Sequence, residues 1–74
     1  MEIKCNIAFF WDDEAKVWIA TSENVPGLIL EDESFDNLIN RVFVAVPDLL
    51  ESENAEHRKI SLNCVASRNE LVYA

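Results

Sequence analysis

Residues 9–35 read FFWDDEAKVWIATSENVPGLILEDESF, and the order of features within them decides the fold. Apolar runs at residues 7–11 and 17–20 flank Asp12, Asp13, Glu14 and Ala15. Two β-favouring runs around a polar loop of about four residues predict a hairpin. Val25-Pro26-Gly27-Leu28 then predicts a tight turn, with Pro26 presetting φ and Gly27 free to take φ > 0 after it. Gly27 is the sole glycine among the 74 residues, so it marks a place where the backbone needs one. Residues 28–32 form a short third strand. Ser34 follows as an N-cap, its hydroxyl able to accept from a free N–H of the first helical turn.

Upstream, residues 2–11 alternate as a strand should, with Ile3, Cys5, Ile7, Phe9 and Trp11 on one face and Lys4, Asn6, Ala8 and Phe10 on the other. Its partner, residues 16–23, sets Trp18 and Ala20 against Val17, Ile19 and Thr21. Downstream of Ser34, apolar residues recur at Phe35, Leu38, Ile39, Val42, Val46, Leu49 and Leu50, the stripe of a helix laid on a sheet. Asp36 suits the positive end of that helix, and Asn37, Asn40, Arg41 and Asp48 are expected to face outward. Pro47 cannot donate to the Phe43 carbonyl, so the helix must kink or end there; the stripe stays in phase to Leu50, which favours a kink. Residues 52–57 are polar and read as a loop. Residues 58–66 return to alternation, with Ile60, Leu62, Cys64 and Ala66 inward. Leu71, Val72 and Tyr73 extend that strand beyond a bend at residues 67–70, or form a short strand of their own. The sum is a single α+β domain over residues 1–74, ordered βββαβ, with an antiparallel meander and one crossover helix on one sheet face.

A chain this short buries only about 60% of the surface its unfolded form exposes, so reinforcement is expected. Two cysteines cannot supply a disulfide framework, and one histidine with no CxxC supplies no zinc cluster. Homo-oligomerisation, as a dimer, is the reinforcement that remains. The opening residues lead straight into a strand, and no apolar run approaches the ~20 residues that cross a bilayer. The expectation is a soluble, cytoplasmic protein with reduced thiols and no membrane partner. Net charge is −8, and residues 12–56 hold twelve of the fourteen acids against Lys16 and Arg41. Such a surface repels phosphate backbones and attracts basic partners, which argues against direct nucleic-acid binding.

Chemistry is hard to assemble from these residues. Asp12, Asp13 and Glu14, with Glu31, Asp32 and Glu33, could be imagined as a carboxylate metal site. Consecutive acids in a turn splay apart, however, so a solvated turn is the better reading, and no metal or cofactor is expected. His57 sits in a polar loop without a nucleophile pattern. Cys5 and Cys64 fall on the apolar sides of their strands, where cysteine packs as a small hydrophobe. Trp18 reads as core, while Trp11, at the strand end, could anchor a partner. The expectation is a protein without catalytic residues. The sheet face that the helix cannot cover carries Ala8, Phe10, Val17 and Ile19, more apolar than a solvated face should be. With Trp11 these form the expected partner or oligomer interface, and Pro26 and Gly27 the structural turn.

The acidic turn, Val17-Trp18-Ile19-Ala20-Thr21, Val25-Pro26-Gly27-Leu28, the capped helix start at residues 32–38 and Val46-Pro47-Asp48-Leu49-Leu50 together resemble the HicB-like antitoxin superfamily. Within it they are most similar to a small stand-alone branch labelled only as a domain of unknown function. The resemblance covers residues 3–50 best. It implies a βββαβ domain akin to a partial ribonuclease-H-like fold, found in bacteria. It also implies a role in a toxin–antitoxin system: occluding a small basic RNA-cleaving toxin. Larger members add a DNA-binding domain, for which residues 58–74 leave no room. The alternatives are a homo-oligomeric regulatory domain with another ligand, and a remnant metal-dependent nuclease.

Overall fold

The computed structural model of the protein describes residues 2–50 and 59–74. The elements run β1 (Glu2–Asp12), β2 (Val17–Ser22), β3 (Ile29–Asp32), α1 (Phe35–Leu50) and β4 (Lys59–Ser67). They form one four-stranded sheet in the order β3-β2-β1-β4. The first three strands are antiparallel neighbours, whereas β4 lies parallel to β1 on its far side, so the sheet is mixed. The class is α+β. A parallel neighbour cannot be reached by a tight turn, which is why the chain crosses over through α1 between β3 and β4.

Local chemistry accounts for each corner. At the hairpin, Asp12 Oδ1 accepts from the Glu14 and Ala15 amides at 3.0 and 3.2 Å, and Lys16 N donates to the Asp12 carbonyl at 2.8 Å. Closing that loop puts Lys16 at φ 58°, so the second strand begins at Val17 and not at residue 16. Gly27 takes φ 81° and Leu28 N donates to the Val25 carbonyl at 3.2 Å, the geometry of a type II turn. Ser34 caps α1 as its sequence position demands, its Oγ accepting from Asn37 N at 3.2 Å.

The helix continues through Pro47 to Leu50 and lies closest to β2 and β3. Its stripe of Leu38, Val42, Val46 and Leu50 is buried against Cys5, Ile7 and Phe9 of β1, Ala20 of β2, and Val25 and Leu28 of the turn. No polar side chain is buried among the described residues, so hydrophobic contact alone holds this core. Phe9, Phe35, Trp18 and Trp11 continue it toward the hairpin as a chain of edge-to-face rings, with centroids 4.8–5.6 Å apart.

Several expectations change on contact with the fold. Arg41 is exposed but does not simply point outward: its guanidinium donates to the Glu31 carbonyl at 2.8 Å and to Asp32 Oδ2 at 3.3 Å. Cys64 is exposed, because α1 lies over the β2–β3 side and leaves the second half of β4 bare. Leu71, Val72 and Tyr73 form no strand and are 83–90% exposed. The expected loop at residues 52–57, with His57, lies outside the described residues.

Candidate functional site

The face of the sheet opposite α1 exposes a continuous set of apolar side chains. Strand register aligns its side chains in rows: Val65, Ala8, Thr21 and Ile29 cross all four strands, and Phe10 stands beside Ile19 in the next. Val17, paired with Asp12 at the hairpin end, closes the patch. No described element packs on this face. Ile29 is 72% exposed, Val65 60% and Phe10 39%. Glu31 beside Ile19 and Asp12 beside Val17 set acidic groups at its margin. An apolar centre with a charged rim is the anatomy of a protein-binding patch. The hairpin and β3 end of the patch is acidic, while Lys4 and Lys59 stand on the same face at its far end; the acidic end, around Phe10 and Ile19, has a basic electrostatic complement.

Ala8, Phe10, Val17 and Ile19 therefore share one face, but Trp11 does not join them. Register pairs Trp11 with Trp18 on the helix side, where Arg68 stacks over both rings at 4.2 and 5.8 Å. Strand alternation already separates Trp11 from Phe10, and a tryptophan capped by a guanidinium has its face occupied. Arg68 is held in turn by Glu70 at 2.6 Å. Trp11 is thus a packed wall at the sheet end.

Three of the acidic residues, Asp12, Asp13 and Asp32, are committed to local structure. Trp11 Nε1 and Lys16 Nζ both donate to Asp13 Oδ1, at 3.3 and 3.0 Å, and the Lys16 bond and charge, with the Trp11 bond, hold the Asp13 carboxyl below its ordinary pKa. Asp32 is held down first by the Ser34 amide, donating at 2.8 Å, then by the Asn37 side chain and Arg41. Among the described residues no group of His, Cys, Asp and Glu is gathered to hold a metal ion. The Cys5 thiol is buried and desolvation pushes its pKa up; the same cause raises that of Cys64, leaving both poor thiolates.

Sequence reasoning passed over several groups that shape these surfaces. Asn24 sits where β2 has left β1, and its side chain stands in for a strand neighbour. Its Oδ1 accepts from Asn6 N at 3.0 Å and its Nδ2 donates to the Lys4 carbonyl at 2.8 Å, while Ser22 Oγ donates to the Asn6 carbonyl at 2.6 Å. Val65 completes the row with Ala8, and only register reveals it. Phe43 and Val44 are 52% and 69% exposed on α1, outside its buried stripe. Two adjacent apolar residues off a helix's core face were the available signal for them.

Fold and surface together define a class: a small α+β domain with one helix-covered sheet face and one apolar face left open. The chain belongs to the family described as Domain of unknown function (DUF1902), whose profile matches residues 4–74. It is also similar to the crystal structure of hypothetical protein TTHA1013 from the extremely thermophilic bacterium Thermus thermophilus, at 34% identity and a TM-score of 0.75. That similarity covers 95% of this chain and 99% of the other. Nothing among the curated proteins matches. No helix among the described residues is long and apolar enough to cross a membrane.

Proposed function

We propose that this protein is a non-catalytic, protein-binding domain of the HicB antitoxin type, which neutralises a small basic RNA-cleaving protein by covering its active surface. The observation that carries this reading is the open sheet face, an apolar patch around Phe10 and Ile19 with acidic margins on a chain of net charge −8. A ribonuclease binds phosphate and is basic, so an acidic patch attracts it and steers the encounter. The apolar centre then supplies contact energy that salt does not screen. The order β1-β2-β3-α1-β4 and the likeness of residues 3–50 to HicB-like sequences support a kinship with that superfamily and its partial ribonuclease-H-like fold. A cytoplasmic bacterial setting follows from the same reading.

The test is to find whether a neighbouring reading frame encodes a short basic protein and, where it does, to reconstitute the two; absence of such a neighbour counts against the reading. The basic protein should cleave RNA alone and lose the activity when this chain is added in equal amount. RNA cleavage undiminished by excess of this chain, with no complex on a sizing column, contradicts the reading. A homo-oligomeric regulatory domain is the second reading, favoured by the same exposed patch if a second copy covers it.

A further inference from the structure

The two edges of the sheet are built differently. β3 is four residues long and carries Glu31 and Asp32, and Arg41 reaches over from α1 to the Glu31 carbonyl. Short, charged and covered edges do not recruit other strands. β4 is nine residues long, and its residues 60–67, Ile-Ser-Leu-Asn-Cys-Val-Ala-Ser, hold no charge, proline or glycine. Its outer backbone groups have no strand partner among the described residues, since it ends the order β3-β2-β1-β4. On the helix side an open groove of about 410 Å³ runs beside it, lined by Phe43, Val46, Pro47, Ile60 and Leu62. Beyond Ser67 the chain carries Leu71, Val72 and Tyr73, each more than four-fifths exposed.

Charge identifies the occupant. Residues 59–74 contain Lys59, Arg68 and Glu70, a local net charge of 2 − 1 = +1 on a chain whose total is −8. The acidic surface elsewhere repels another copy of this chain, whereas residues 60–67 carry no charge, so two copies meeting along this edge among the described residues bring little like charge together. An exposed strand also pairs with itself antiparallel about a two-fold axis, the symmetry that most homodimers adopt. We propose that β4 pairs antiparallel with β4 of a second copy, so that one sheet runs across both chains. The axis passes near Asn63 and Cys64 at the strand midpoint. Beyond the Arg68–Glu70 anchor, Leu71, Val72 and Tyr73 of each chain then lie against the other copy, covering side chains that one copy leaves in water. This contact uses neither Phe10 nor Ile19 and stands independently of the proposed partner binding.

The experiment is sedimentation of the wild-type chain, Cys64→Lys and Phe10→Asp at micromolar concentration, with circular dichroism to verify folding. The wild type and Phe10→Asp should sediment as dimers. Cys64→Lys brings two ammonium groups together across the axis and should raise the dissociation constant about 10-fold or more. If that variant does not fold, Asn63→Lys, exposed on the same strand, replaces it. Hydrogen exchange on the wild type should slow across residues 60–67 and quicken on dilution. A monomeric wild type, a dimer broken by Phe10→Asp but not by the β4 lysine, or exchange unchanged by dilution overturns the proposal.

Discussion

Gly27 illustrates how one residue can carry a strict backbone demand. At φ 81° it occupies the left-handed region, while a Cβ added there would meet only Leu49 Cδ2, at an ordinary 3.7 Å. Gly27→Ala should therefore cost about 1–2 kcal/mol through backbone strain and not through a clash, measured as a lower urea midpoint with unchanged slope. Asp32 makes a pH-dependent claim. Its folded pKa lies below that of the unfolded chain, so its contribution is complete above about pH 4 and is lost as pH falls through the folded value. The gap in melting temperature between wild type and Asp32→Asn should be open at pH 7 and close below about pH 4. At this scale the sequence was legible where a residue has a single backbone use, as for Gly27 and Ser34. It was illegible for Asn24, because a side chain that mimics a strand neighbour depends on where a distant strand ends.

At the scale of elements, periodicity located β1, β2, β4 and α1, since alternation and the 3.6-residue stripe report burial directly. The short β3 was placed by the turn before it and the cap after it, and the strand expected at residues 71–73 did not form. Periodicity could not set α1 across the sheet. Sequence pattern made Cys64 and Ala66 inward, and they do share a sheet side with Ile7 and Phe9, yet α1 does not extend over them. Inward by register and buried by packing are separate properties. Pro47 lies inside α1, leaving the Phe43 carbonyl without its helical donor. Pro47→Ala restores that donor and should stabilise the protein by about 1–3 kcal/mol, read as a raised denaturation midpoint. Arg68 ties the residues after β4 to the aromatic chain at the hairpin. Arg68→Ala should cost about 0.5–1 kcal/mol and shift the tryptophan emission as the ring faces of Trp11 and Trp18 meet water.

For the whole molecule, the open apolar sheet face was partly legible. Ala8, Phe10, Val17 and Ile19 were recognisable because a two-sided apolar strand pair cannot be covered by one helix, an argument that needs no coordinates. Trp11 was misplaced among them because its size suggested an anchor while its parity put it on the other face. Val65 and Ile29 became visible only when register aligned four strands. What results is a scaffold in which Asp12, Asp13 and Asp32 serve the hairpin and the helix start, and in which one sheet face has no described element over it. The direct measurement is the affinity of the proposed small basic RNA-cleaving partner for three chains: wild type, Phe10→Asp with Ile19→Asp, and Phe43→Asp on the helix side. Binding should weaken at least ~100-fold in the double variant, the scale of a disrupted apolar interface centre, and stay near wild type in Phe43→Asp. Equal affinity for the wild type and the double variant would contradict the assignment of the open face.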